Sequence, residues 1–290
     1  MSAALSDALG GPVTAVEPVG GGCINESVLV SVGGRRYFVK WHPNGPADLF
    51  EREALGLRAM AQAVASSGAE LVIPEVIAVG RRPGFLVLEH LPLAPRRHGF
   101  DERLGAGLAA MHRAPHQQCS GHYGFSADTY CGTTLQVNVW QSCWSDLYRE
   151  QRLAPLIEGA GQQGHLSVAD GQVLRRVLDR LPELLAADPE PPALIHGDLW
   201  SGNLHTGPEG GPALIDPAAY YAHREAELGM MVLFGGFSQR VFQAYAASWP
   251  LSAGWQERLP LYTLYHVLNH CVLFGGSYGA QAVSIARRYL

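Results

Sequence analysis

The chain has 290 residues, 47% hydrophobic and 16% charged, with a formal net charge of −5. That length holds one large domain or two lobes with substantial cores, and the balance is that of a globular protein and not of a disordered chain. The mild acidity gives no footprint for nucleic acid or an anionic membrane. No apolar run reaches the roughly 18 to 20 residues of a membrane helix, and the first ten residues lack the basic and apolar regions of a signal peptide.

Five cysteines, Cys23, Cys119, Cys131, Cys143 and Cys271, form no C-x-x-C pair. This argues against a disulfide framework or a zinc site and points to a reducing cytoplasm. Of the 21 basic residues all but one are arginine; the exception is Lys40, inside the apolar run Tyr37-Phe38-Val39-Lys40-Trp41. A compact ammonium on a flexible stem suits a phosphate oxygen where a planar guanidinium would not fit.

In chain order, residues 13–19 read as a strand, Gly20-Gly21-Gly22-Cys23-Ile24-Asn25 as a turn, and 27–32 as a returning strand. Gly33-Gly34 then signals a hairpin into a third strand over 36–41. A glycine-rich turn between antiparallel strands can approach phosphates through its N–H groups. It is not G-x-G-x-x-G and no helix follows it, which disfavours a dinucleotide site. Residues 48–65 place Phe50, Ala54, Leu57 and Ala61 on one helical stripe. Glu51 and Glu53 leave that helix at different angles and either can be solvated; Glu53 is the choice to pair with Lys40.

Two more strands are predicted over 75–78 and 85–88. Glu89-His90-Leu91-Pro92, with Pro95, marks a crossing into a mostly helical remainder, where main-chain groups are placed to meet an adenine edge. Helices are predicted over 101–112, 140–157, 173–185, 240–248, 255–268 and 278–290. Residues 119–139 lack periodicity and read as a long, functional loop. Strands first and helices later give an α+β protein of two lobes with a cleft between them.

The chemistry concentrates in Ala193-Leu194-Ile195-His196-Gly197-Asp198-Leu199-Trp200-Ser201-Gly202-Asn203-Leu204 and in Ala213-Leu214-Ile215-Asp216-Pro217. Two apolar runs each deliver an aspartate, and the turn-rich stretch 206–212 between them suggests that they form a hairpin. Asp-x4-Asn followed by an Asp on a buried strand suits phosphoryl transfer: one carboxylate orients a hydroxyl, while an amide and a second carboxylate hold Mg2+. Singly, such residues are ordinary turn and cap formers.

With Lys40, Glu53, Asp198, Asn203 and Asp216 in that order, the chain resembles the protein-kinase-like superfamily in its small-molecule branch. More specifically it resembles the fructosamine (ketosamine-3-) kinase family. The match rests on Gly20-Gly21-Gly22-Cys23-Ile24, Phe50-Glu51-Arg52-Glu53, His196-Gly197-Asp198-Leu199-Trp200-Ser201-Gly202-Asn203, Tyr221 with His223-Arg224-Glu225, and Leu233-Phe234-Gly235-Gly236-Phe237. The resemblance implies a bilobal fold: an N-terminal antiparallel sheet lobe with one main helix (1–91) and a mostly helical C-terminal lobe (92–290). It implies ATP and Mg2+, and phosphorylation of the 3-hydroxyl of ketoamines formed when sugars glycate amines.

Carried over residue by residue, Gly20, Gly21 and Gly22 would cover the phosphates. Lys40, oriented by Glu53, would hold the α- and β-phosphates, and the main chain of Glu89 and Leu91 would hold adenine. Asp198 would be the base, with Asn203 and Asp216 on the metal and His196 bracing the loop. Substrate candidates are Trp200, which serves equally as core, and His223, Arg224 and Glu225, with mutual pairing of Arg224 and Glu225 as the alternative; Gln136 and Asn138 follow. Glu227 stands where the family has an aspartate, so a longer side chain would shift the loop slightly.

The competing functions are an aminoglycoside, choline or sugar phosphotransferase of the same fold, and a nucleotide-binding pseudokinase. The intact set speaks against the last of these. The partner is a small-molecule or protein-bound ketoamine, with no nucleic acid or membrane, and the sequence leaves the oligomeric state open. Amide dipoles around Cys23 can lower its thiol pKa, so its oxidation is expected to block nucleotide binding or to link two subunits. Peroxide treatment should then change activity or mobility on a non-reducing gel, and the idea fails if neither changes.

Overall fold

A computed structural model describes residues 1–20, 25–115, 119–185 and 190–290. Gly21, Gly22 and Cys23 of the glycine turn lie outside the described residues. Helix α1 (Ser2–Leu9) precedes β1 (Val13–Pro18), β2 (Glu26–Val32) and β3 (Arg35–Trp41). Helix α2 (Leu49–Ser67) then leads to β4 (Val76–Arg81) and β5 (Gly84–Glu89). The strands form one antiparallel sheet in the order β1-β2-β3-β5-β4.

Alternation decides what each face of this sheet does. Val39, opposite Val28 and Val87, turns to the face covered by α1, where Val30, Phe85 and Leu5 complete a small core. Phe38, Leu86 and Leu88 turn the other way, onto Leu49, Phe50, Ala54 and Leu57 of α2. Lys40 pairs with Leu86 and so belongs to the α2 face. Helix α1 was not anticipated: its eight residues carry one buried leucine, Leu5, too little for a periodic signal.

The rest begins with α3 (Phe100–Arg113). The predicted loop over 119–139 contains a tight hairpin, β6 (Thr129–Cys131) and β7 (Thr134–Gln136); strands of three residues are too short to show a period. Helix α4 (Trp144–Leu147) runs through one π turn (Tyr148–Leu153) into α5 (Ala154–Gln162). Helix α6 (Val168–Leu184) starts five residues before the expected point. Ser167 and Asp170 form a reciprocal capping box there, with a short aspartate doing the work usually given to Glu or Gln.

Strands β8 (Ala193–Ile195), β9 (Leu204–Thr206), β10 (Pro212–Leu214) and β11 (Tyr220–Ala222) follow, then α7 (Glu225–Leu233), α8 (Gln239–Ser248), α9 (Trp255–Phe274) and α10 (Tyr278–Ala286). The hairpin expectation needs a correction. The 193–195 run pairs with β11, while β9 pairs with β10 in a hairpin between them in the chain, so the two aspartates follow strands of two nested pairs. Helix α7 was missed because every residue from Glu225 to Met231 is buried, leaving no polar face to create a period. No helix among the described residues is long and apolar enough to cross a membrane, and none of the described cysteines forms a disulfide.

Helix α3 meets α8 at Gly105, where a Cβ would lie 2.1 Å from the Val241 carbonyl oxygen and 2.9 Å from the Tyr245 nitrogen. Both are backbone atoms, so the helices would have to separate. Gly105→Ala is expected to cost about 1–3 kcal/mol, a melting temperature lower by roughly 3–10 °C. Unchanged melting would refute the close approach.

Candidate active site

Lys40 is 1% exposed. Its Nζ lies 2.6 Å from Glu53 Oε2 and 2.7 Å from Asp216 Oδ1. Glu53 stands three residues after Phe50 and four before Leu57, on the buried stripe of α2, so helical spacing points it at the sheet. Glu51 turns outward to Arg81. Burial alone would push the Lys40 ammonium pKa down, but the two carboxylates outweigh it and raise it above the usual value. Burial pushes Glu53 up, against the pull of Lys40. Burial would likewise raise Asp216, but Lys40 more than reverses this and holds it below the ordinary carboxylate value.

Strand β8, buried throughout, delivers His196, Gly197 and Asp198. Gly197 has φ 80°, and a Cβ there would lie 2.3 Å from the Ala218 carbonyl oxygen, so this turn admits only glycine. His196 Nε2 donates to the Ile215 carbonyl at 2.7 Å, and its Nδ1 accepts from the Asp198 amide at 3.3 Å. Both ring nitrogens are thereby committed to the loop, and His196 braces it. The Asn203 amide nitrogen donates to the Asp198 carbonyl at 2.9 Å and lies 3.4 Å from its carboxylate. Asp216 has φ 56°, a left-handed conformation uncommon outside glycine that is often found at functional sites.

The Asp198 side chain keeps 23% of its surface open to the cavity yet sits deep in the cleft. That burial, with the negative charges of Asp216 and Glu227, raises its carboxyl well above the ordinary range.

Two cavities meet at Asp216. One is lined by Lys40, Glu53, Asp198, Trp200, Asn203 and Tyr130. The other is an apolar slot between Leu29, Phe38 and Leu88 of the sheet and Ile215 below, with Glu89 and Leu91 along its edge. The slot has the form of a seat for a flat ring. The Glu89 amide is already spent on the Glu75 carbonyl at 3.0 Å, which leaves its carbonyl as that residue's main-chain group for a ligand. For a divalent cation the donors fit: Asn203 spends its amide nitrogen on Asp198 and keeps its oxygen, and Asp216 keeps 39% of its side chain open. An amide and a carboxylate oxygen form a hard donor set.

The three residues after β11 are placed differently from the sequence expectation. None of them lines the cavity beside Asp198. Arg224 makes a two-pronged pair with Glu190, both contacts 2.6 Å, and lies 3.8 Å over the Trp249 ring. Glu225, 0% exposed, takes the Arg258 fork at 2.8 and 2.6 Å. Arg224 and Glu225 therefore do not pair with each other. His223 stacks on Tyr262 and shares a hydrogen bond with its hydroxyl. These are bracing contacts, made away from the cavity that holds Asp198. Of the loop candidates, Asn138 is committed to Thr129, Ala127 and Arg152, whereas both amide atoms of buried Gln136 lack a hydrogen-bond partner among the described residues.

Trp200 half-covers the pocket, its ring stacked over Gly202, where a Cβ would meet it at 2.2 Å, and edge-on to Phe234. Sequence reasoning passed over Tyr130 and Thr129, which line the pocket from the short β6–β7 hairpin.

A sequence profile of the fructosamine kinase family matches residues 1–290. A probable ketoamine kinase of Synechocystis sp. is 38% identical over 94% of this chain and 89% of its own length. A chloroplastic protein-ribulosamine 3-kinase of Arabidopsis thaliana is 37% identical over 96% of this chain and 83% of its own. A crystal structure from Thermobifida fusca, provisionally named a fructosamine-3-kinase, superposes with a TM-score of 0.87 at 36% identity, covering 99% of this chain and 97% of that one. An aminoglycoside phosphotransferase bound to AMP-PNP and hygromycin B, at TM-score 0.66 and 18% identity, shares the fold.

Glu227 does the bracing expected of a shorter carboxylate. Fully buried on α7, it accepts from the His196 amide at 2.5 Å and the Gly197 amide at 3.2 Å. Glu227→Ala leaves both amides without an acceptor and should cost about 2–4 kcal/mol, read as a lower urea midpoint, with turnover falling at least in parallel. A variant with wild-type stability and turnover would show that the loop holds itself.

Proposed function

This chain belongs to the fructosamine kinase family, and from that premise we propose that it transfers the γ-phosphoryl group of ATP to the 3-hydroxyl of ketosamines, the first step in removing sugar from glycated amines. The observation that carries the reading is the convergence of Lys40, Glu53, Asp198, Asn203 and Asp216 on one cleft beside an apolar slot. A pseudokinase has no use for a base held in that position.

In the proposed reaction the 3-hydroxyl oxygen bonds to the γ-phosphorus as the bond from that phosphorus to the β,γ-bridging oxygen breaks. The hydroxyl proton passes to an Asp198 carboxylate oxygen, and ADP leaves. Lys40 takes the α- and β-phosphate oxygens, held in place by Glu53, while Gly20 and its neighbours Gly21 and Gly22 cover them. Adenine lies in the slot against the Glu89 and Leu91 main chain. Asn203 and Asp216 would hold Mg2+, which neutralises charge on the phosphates when bound. Trp200 offers a face for the sugar or for the cationic nitrogen beside it. In this reading residues 1–91 grip the nucleotide and 92–290 supply the base and the acceptor site, in a cytoplasmic setting.

ADP release with Mg-ATP should appear with fructosyl-, ribulosyl- or erythrulosyl-amines and be far weaker with aminoglycosides, choline or free sugars. Phosphorus NMR should locate the phosphate on position 3. Turnover of another alcohol but of no ketosamine would sink the reading. Asp198→Asn should lower kcat by roughly 10²–10⁴ while nucleotide affinity stays near wild type; full activity in that variant would remove Asp198 as the base.

A further inference from the structure

Helix α9 is buried over most of its length and brings His266 against the proposed base. The His266 side chain is 5% exposed, and its Nδ1 lies 3.9 Å from Asp198 Oδ1. Nδ1 has no hydrogen-bond partner among the described residues. Leaving such a group buried and unpaired costs about 1–3 kcal/mol, so an unpaired polar atom here asks for a reason. An ion pair does not supply one. Burial, and then the neighbouring His270, push the imidazole pKa down to about 3, which favours the neutral ring.

The distance suggests the reason. At 3.9 Å the two atoms are too far apart for a direct hydrogen bond, yet one oxygen can sit about 2.8 Å from both. A hydroxyl there donates to Asp198 Oδ1 and accepts from an Nδ1–H of His266. Its third direction, the remaining lone pair, is then fixed. Buried Cys131, on the β6–β7 hairpin, stands beside them: its Sγ, a ring nitrogen of His266 and a carboxylate oxygen of Asp198 lie within 4.8 Å of one another. Asn269, one turn along α9, ties the Cys131 carbonyl to the helix at 3.2 Å.

We propose that His266 seats the acceptor hydroxyl: its neutral Nδ1–H and Asp198 Oδ1 together form a cradle one hydroxyl wide that aims the nucleophilic lone pair at the phosphorus. This rests on the reading of Asp198 as the base of a hydroxyl kinase. It assigns His266 no proton transfer.

The test compares His266→Asn, whose side-chain amide nitrogen reproduces the Nδ1 position, with His266→Leu, which keeps the bulk and removes the donor. His266→Leu should lower kcat/KM for the ketosamine by about 10- to 100-fold, while KM for ATP stays within about two-fold of wild type. His266→Asn should recover most of the loss and keep the wild-type pH profile. The proposal is overturned if His266→Leu turns over ketosamine normally, if Asn rescues no better than Leu with ATP KM intact, or if the Asn variant loses a limb of the pH profile. Should His266→Leu fail to fold, as a thermal melt would report, His266→Gln takes its place, since its amide reaches the Nε2 position and should not rescue. If wild type phosphorylates some other alcohol, the ketosamine reading falls, and the same variants assayed on that alcohol still decide the cradle.

Discussion

Everything in the cleft depends on one buried ammonium held by two carboxylates from different parts of the chain. Lys40 comes from the third strand, Glu53 from the helix over the sheet and Asp216 from the turn after the tenth strand, and the contacts are 2.6 and 2.7 Å. Burying a charge is costly and repaid only by good partners. Removing Lys40 would leave both carboxylates uncompensated, and a register slip of one residue would move Lys40 to the opposite face of the sheet. The pair with Asp216 also fixes the sheet against the helical part at the place where a nucleotide would lie.

The charge balance in the cleft is lopsided. Lys40 faces Glu53, Asp216 and Asp198, and Asp216 helps to raise the pKa of both other carboxylates. Excess negative charge in a water-poor site is a standing cost, and a divalent cation on Asn203 and Asp216 would relieve it. The same imbalance explains why the single lysine sits here and arginine is used elsewhere. Arg224 and Arg258 each grip one carboxylate with two parallel donors, a fixed fork suited to permanent bracing. In the proposed reaction Lys40 exchanges a carboxylate for a phosphate, which a point charge on a flexible stem does more readily.

Much of this was legible before any coordinates. The strands of the sheet and the helix after them follow from period, and the Asp198, Asn203 and Asp216 set from spacing, whereas spacing alone left Glu51 and Glu53 equally free to be solvated. What escaped notice escaped for physical reasons. The seventh helix is buried on all sides and shows no amphipathic period. The β6–β7 hairpin has three-residue strands. The sixth helix hides its start behind an aspartate-based capping box. His223, Arg224 and Glu225 look like a polar substrate cluster in sequence, yet their partners Glu190, Tyr262 and Arg258 lie 34, 39 and 33 residues away. No local pattern can report a partner at that distance. Glu227 is a like case: both its oxygens reach backbone amides, of which that of Gly197 lies 30 residues away in the chain.

The reaction and the choice of acceptor are written in different stretches of the chain. The nucleotide half and the base come from strands and tight turns whose geometry is imposed by backbone needs: Gly197 at positive φ, Asp216 in a left-handed turn, His196 bonded at both nitrogens. Such positions tolerate little change, and the fold persists in an aminoglycoside phosphotransferase at 18% identity. The wall beside Asp198 is instead lined by Thr129 and Tyr130 of the β6–β7 hairpin, where side chains and not backbone constraints set the shape, and His266 of the ninth helix lies behind it, 3.9 Å from Asp198. Thr129, Tyr130, Cys131 and His266 can be exchanged without unpairing a strand of the main sheet. In the proposed reaction a different acceptor would call for new side chains on that wall, whereas a different reaction would require rebuilding the nested strand pairs that carry Asp198 and Asp216.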